Sequence, residues 1–206
     1  ACCLFLEEHF ERLRRSAEKL QIQVPWSNTE QKKRLFETAR AFGEKNIYFR
    51  IIITRGVIEH VGLDVFDSAE PSLVMIIQNL SGNMDRLRTD GIVLITSKIV
   101  RNSALAQDPN IKTSNYLNRL LDLLDVKSRG AQVAILCDSL GRVTEGTTFS
   151  VFGVTKQKKI ITPSLEIGIL DSITRRHVLD AARQQGEEGY YPLEMFQQCI
   201  EVFITR

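Results

Sequence analysis

Apolar side chains recur at three- and four-residue steps through residues 7–22, where Phe10, Leu13, Ala17 and Leu20 would share one helical face. Pro25 stops that helix. Asn28-Thr29 can cap a second one running to about Gly43, with Leu35, Phe36 and Ala39 facing inward. The pattern then changes. Residues 47–54 are β-branched and aromatic and end at Arg55-Gly56, which predicts a strand. Residues 72–80 and 92–98 read as two more strands, with a polar stretch over 84–91 between them. Ile51, Ile53, Val74, Ile76, Val93 and Ile95 on these strands must be covered on at least one face. A first unit of about ninety residues with helices and strands grouped in this way indicates an α+β fold.

The second half differs. Residues 102–110 form a polar, irregular connector. Residues 116–128 read as a helix, with Leu117, Leu120, Leu121, Leu124 and Val126 supplying most of a core face and Gly130 ending it as a left-handed cap. A strand over 133–137 turns through Asp138-Ser139-Leu140-Gly141 into one or two strands within 143–155. Another turn over 156–159 precedes a strand at 160–162. Residues 173–185 are helical, 192–198 form a short helix, and 200–205 a last strand.

Composition narrows the class without deciding it. The 206 residues allow one large domain or two small ones, and 43% hydrophobic with 25% charged residues is ordinary for a soluble globular protein. The 27 basic and 25 acidic residues are dispersed, so nothing points to nucleic acid as a partner. Cys2, Cys3, Cys137 and Cys199 show no paired spacing, and the expectation is a reduced, cytoplasmic chain. No apolar run reaches the roughly 20 residues that span a bilayer, and no signal peptide precedes the first charges.

Three segments carry candidate chemistry. Asn110-Ile111-Lys112-Thr113-Ser114-Asn115-Tyr116 offers an amine on a polar turn. Val143-Thr144-Glu145-Gly146-Thr147-Thr148 places a carboxylate in a strand-like hairpin. Leu170-Asp171-Ser172-Ile173-Thr174-Arg175 opens a helix whose first amides can hold an anion. A lone lysine is ordinarily a solvated charge, a strand glutamate usually faces water, and a capped helix start is commonplace. Together, an amine, a carboxylate and an anion site are what an enzyme needs to carry pyridoxal phosphate. Ile111 and Tyr116 would leave the Lys112 amine partly desolvated, as imine formation requires.

In this order the segments resemble the fold-type IV pyridoxal-phosphate enzymes: branched-chain and D-amino-acid aminotransferases and aminodeoxychorismate lyases. The match to Ile-Lys-(Thr/Ser)-x-Asn-Tyr-Leu runs unbroken through Leu117. The resemblance implies that Lys112 is the imine-forming catalytic lysine, Tyr116 bonds the cofactor's phenolic oxygen, and Glu145 protonates the pyridine nitrogen. It implies too that Ile173 and Thr174 take the phosphate with Arg12, from a Glu-His-x-x-Arg-Leu helix in which His9 is structural. Gly146 would let backbone approach the cofactor, and Thr147 and Thr148 would line the substrate side. Ser172 stands where the family has glycine, and Ser150 where it usually has asparagine.

The fold implied is two-domain α+β. Residues 1–96 would form a small domain, 97–110 a connector, and 111–206 a larger cofactor-binding domain with a mixed, barrel-like sheet core flanked by helices. Family members usually begin some thirty residues earlier and continue some sixty residues later, so the chain is expected to lack a start and an end. Arg101-Asn102 and Gly62-Leu63-Asp64 resemble the branched-chain group. The D-amino-acid enzymes follow their inner strand with an arginine and histidine pair, whereas residues 57–60 supply only His60. The expected reaction is amino transfer from a branched-chain or similar amino acid to 2-oxoglutarate, in a homodimer. The alternatives are D-amino-acid transfer, the lyase reaction, and a non-catalytic binding protein on the same fold.

Overall fold

The computed structural model describes residues 3–57, 70–80 and 89–206. The chain divides into two compact units, Ala1–Thr89 and Asp90–Arg206.

In the first unit, α1 (Leu6–Lys19) buries Leu6, Phe10, Ser16 and Ala17 along one face. Helix α2 (Asn28–Phe42) starts at Ser27, not at Asn28. The Ser27 hydroxyl accepts from the Glu30 amide while the Glu30 carboxylate accepts from the Ser27 amide, a reciprocal capping box. Gly43 ends it at φ 80°, a conformation that costs glycine nothing. Strands β1 (Ile47–Thr54) and β2 (Ser72–Asn79) pair antiparallel from Ile47↔Asn79 to Thr54↔Ser72. Leu6, Phe10 and Leu35 form the core, with Phe36, Phe49, Ile51 and Met75 packed against it. Val74 and Ile76 stay exposed on the other face of β2. His60, the 62–64 segment and most of the polar stretch 84–91 lie outside the described residues.

The second unit holds two sheets. Strand β3 (Leu94–Thr96) pairs parallel with β4 (Val133–Cys137), which pairs antiparallel with β5 (Val143–Gly146). The short β3, which the apolar pattern grouped with the preceding strands, thus joins the second unit's sheet. The other sheet runs β8-β7-β6-β9: Gly186–Gly189, Ile160–Pro163, Ser150–Val154 and Glu201–Thr205. Ile135, Val143, Val151 and Phe196 pack between the two sheets. Phe196 comes from the short α5 (Leu193–Gln197). Helix α4 spans Ile173–Ala182 and continues as a 3-10 turn over Arg183–Gln185.

Helix α3 (Leu117–Ser128) overturns one expectation. It buries Asp122 and Val126, and Val126 packs with Ala131 and Ala134. Leu117, Leu120, Leu121 and Leu124, expected in the core, are exposed by 45–63%. The leucine periodicity is real, but among the described residues the stripe is left about half exposed. Gly130 follows the helix at φ 76°, the left-handed cap its position predicts.

Candidate active site

The three sequence segments meet within the second unit. The Asp171 amide donates to the Asn110 side-chain oxygen at 2.9 Å, tying the start of α4 to the lysine loop. The Leu170 amide donates to Glu145 Oε2 at 3.4 Å, tying the same start to β5. The Asn118 side chain donates to the Val100 carbonyl at 2.9 Å and fixes the lysine loop's exit against the segment after β3. Arg101, Lys112, Tyr116, Arg119 and Leu170 line one shared cleft.

Lys112 sits in the irregular run before α3, and Tyr116 occupies that helix's N-cap. The four-residue separation brings the amine to 3.4 Å from the Tyr116 hydroxyl, a long hydrogen bond with lysine donating. Lys112 is exposed and Tyr116 half-buried, so the amine is not desolvated as its neighbours in sequence suggested. Ile111 lines the same cleft as the amine.

Glu145 is a buried charge. Its side chain is 6% exposed. Two residues of β4, Ile135 and Cys137, span three steps of β5, Val143 to Gly146, so a bulge falls at Thr144-Glu145 and re-aims the side chains there. Thr144 donates its hydroxyl to the Leu136 carbonyl at 2.7 Å. Glu145 Oε1 accepts from Arg101 Nε at 3.1 Å and forms ion pairs with Arg101 at 2.9 Å and Arg119 at 2.8 Å. Arg119 also lies over the Tyr116 ring, 5.5 Å from its centroid. Oε2 receives the 3.4 Å amide contact alone among the described donors. A buried carboxylate oxygen with one long hydrogen bond has room for a further donor.

At α4, Ser172 is the N-cap and its hydroxyl accepts from the Arg175 amide at 3.3 Å. The serine that replaces the family's glycine therefore caps the helix. The first amides of a helix have no partner within it, which leaves those of Ile173 and Thr174 available to an anion. The Ile173 side chain is buried and serves packing. The Thr174 hydroxyl donates to the Arg206 carbonyl at 3.2 Å. Arg175 is buried, with its guanidinium on the Pro163 carbonyl at 2.6 Å and on Glu188.

Two other residues behave differently from expectation. The Thr147 hydroxyl donates inward to Asp122 at 2.5 Å, so of the threonine pair only Thr148 is exposed. A Cβ on Gly146 would come within 2.0 Å of the Phe149 ring, so that glycine answers to a neighbour in the chain and not only to a ligand. Arg12 lies on α1 in the first unit, near His9 at 3.3 Å, with its carbonyl accepting from Ser16. Burial pushes the Cys137 and Cys199 thiols up, Asp138 and Glu194 adding to the effect at Cys137, so neither is a ready thiolate.

Arg119 and Asp122 were missed as site residues. Arg119 stands three residues after Tyr116, one helical turn on from that N-cap, and that was the available signal. Among the described residues no helix is long and apolar enough to cross a membrane.

Residues 2–206 match the amino-transferase class IV family. A putative branched-chain-amino-acid aminotransferase of Methanocaldococcus jannaschii is 33% identical over 203 residues, 97% of this chain and 69% of the relative. The aminodeoxychorismate lyase of Bacillus subtilis is 28% identical over 209 residues, 99% of this chain and 69% of that protein. The crystal structure of the Thermoproteus uzoniensis branched-chain aminotransferase with norvaline superposes at a TM-score of 0.87 and 27% identity, covering 97% of this chain and 67% of that one. A family match along essentially the whole chain, a relative 33% identical over 97% of it, and an α+β fold shared with solved members lead to one conclusion: the chain belongs to the class IV amino-transferases and is an enzyme of that class.

Proposed function

We propose that the protein is a pyridoxal-phosphate aminotransferase that moves an amino group from a branched-chain amino acid to 2-oxoglutarate, with Lys112 and Glu145 at its centre. The observation that carries this reading is an exposed amine at the cleft, 3.4 Å from a tyrosine hydroxyl, beside a buried carboxylate with spare accepting capacity that is bonded to the cleft's Arg101, Arg119 and Leu170. That donor set fits the cofactor at both ends of its ring. Lys112 would attach to its aldehyde, Tyr116 would meet its phenolic oxygen, and Glu145 would face its ring nitrogen. The Ile173 and Thr174 amides would take the phosphate. When bound, the cofactor supplies a carbonyl for the amine and a ring that withdraws electrons from the substrate α-carbon.

The protein's own groups do the rest. The Lys112 amine would move the proton at the substrate α-carbon. The Tyr116 hydroxyl holds that amine within reach. The carboxylate of Glu145, kept from water by its burial, favours a proton on the ring nitrogen. Thr148 is the threonine left to face substrate, because Thr147 is committed to Asp122.

A lyase reading has its own support in the match to the Bacillus subtilis protein, and the same lysine and glutamate serve either reaction. The two separate in one assay. Amino transfer from leucine, isoleucine, valine and D-alanine to 2-oxoglutarate is measured beside pyruvate release from aminodeoxychorismate. Transfer from the three branched L-amino acids is the expected result. Pyruvate release without transfer would assign the lyase, and preference for D-alanine the D-amino-acid enzyme. The exposed leucines of α3 favour assembly as a homodimer, since a monomer rarely leaves four helical neighbours of this size in water.

A further inference from the structure

Glu145 carries one negative charge, and two arginines share its Oε1. Their side chains are 10% and 16% exposed, so solvent screens the cluster weakly. The group has an excess of one positive charge. The other titratable groups facing it are few. Lys112 and Tyr116 stand in the loop before α3, Asp122 on α3 holds the Thr147 hydroxyl, and Asp171 at the start of α4 pairs with Arg176 at 3.1 Å. Arg101 is tied to the sheet, its amide donating to the Cys137 carbonyl at 2.9 Å. Arg119 reaches both Glu145 and the Tyr116 ring.

We propose that Arg119 is a positioning and charge-setting residue of the site. It turns the Glu145 carboxylate so that Oε2 faces the ring nitrogen, and it opposes the proton that Glu145 favours there. This rests on the reading that the cleft binds pyridoxal phosphate with Glu145 at the ring nitrogen. A neighbouring cation disfavours the protonated form of a titrating group, and an uncharged side chain at position 119 would lift that opposition.

The test is a pH titration of the ring nitrogen itself, followed by nitrogen-15 magnetic resonance of ring-labelled cofactor bound to the purified protein, comparing wild type, Arg119→Gln and Arg119→Lys, with circular dichroism as a check on folding. The midpoint of the ring-nitrogen signal is expected to rise by on the order of one pH unit in Arg119→Gln, and to move by much less in Arg119→Lys, which keeps the charge. A midpoint unchanged in Arg119→Gln would overturn the proposal and leave the cofactor reading standing. So would equal shifts in both variants, because packing would then be the cause. A wild-type protein that takes up no cofactor would overturn the reading, and this proposal with it. Arg119→Met, which keeps the aliphatic stem, replaces Arg119→Gln if the latter does not fold. If both neutral variants unfold while Arg119→Lys folds, Arg119 is structural and the proposal is wrong.

Discussion

At Glu145, chemistry and stability pull on the same atoms. Replacing it by glutamine removes the charge that favours a protonated ring and leaves Arg101 and Arg119 without their only described carboxylate. We expect kcat to fall roughly 100- to 1000-fold, the usual effect of removing one preorganised electrostatic contact. We also expect stability to drop by about 3 kcal/mol, because a buried pair broken on one side leaves unpaired charge behind. Single-turnover kinetics and urea denaturation measure the two effects separately. A stable glutamine variant with wild-type kcat would remove Glu145 from the mechanism. Lys112, Tyr116 and Glu145 were legible in sequence because they sit in unbroken strings. Arg119 was not, since an arginine on a polar helix reads as a solvated charge until the fold brings β5 against it. The inward turn of Thr147 was equally hidden, because it depends on which side of a bulge the strand resumes.

Among the elements, the β4–β5 hairpin positions Glu145, and its turn rests on Asp138. That carboxylate accepts from the Leu140 and Arg142 amides, both at 2.9 Å, and pairs with the Arg142 guanidinium at 2.6 Å. Burial alone would raise its pKa, but those donors outweigh burial and hold it below the usual carboxylate range. A carboxylate depressed in the folded state lends stability above its unfolded pKa, about 3.9, and that stability is lost as pH falls through the lower folded value. Asp138→Asn should therefore destabilise the protein by about 1 kcal/mol near neutrality, and by less in acid, as followed by urea midpoints at several pH values. A penalty that did not shrink toward low pH would count against the turn. Gly146→Ala, which forces a methyl group into the Phe149 ring, should cost about 1–3 kcal/mol in the same measurement. Strands rich in β-branched residues, such as β1, were legible to the residue. Strand β8 was not, because its Gly-Glu-Glu-Gly sequence has no strand propensity and extends only through parallel pairing with β7.

For the whole molecule, the exposed Leu117, Leu120, Leu121 and Leu124 stripe is the feature the chain does not explain by itself. Its periodicity suggested a core helix, and periodicity cannot tell a core face from an assembly face. Sedimentation equilibrium should return twice the 23.4 kDa chain mass, and Leu120→Lys with Leu124→Lys should shift it toward the monomer. A wild-type monomer that transaminates would end the dimer reading. The central claim, a pyridoxal-phosphate site built on Lys112, has a more direct test. Purified protein is mixed with the cofactor, dialysed, and its visible absorption recorded beside that of Lys112→Ala. The account predicts a retained visible band in the wild type that is lost in the variant, while the exposed position of Lys112 leaves the variant folded. No retained band in the wild type, or the same band in both proteins, would contradict it.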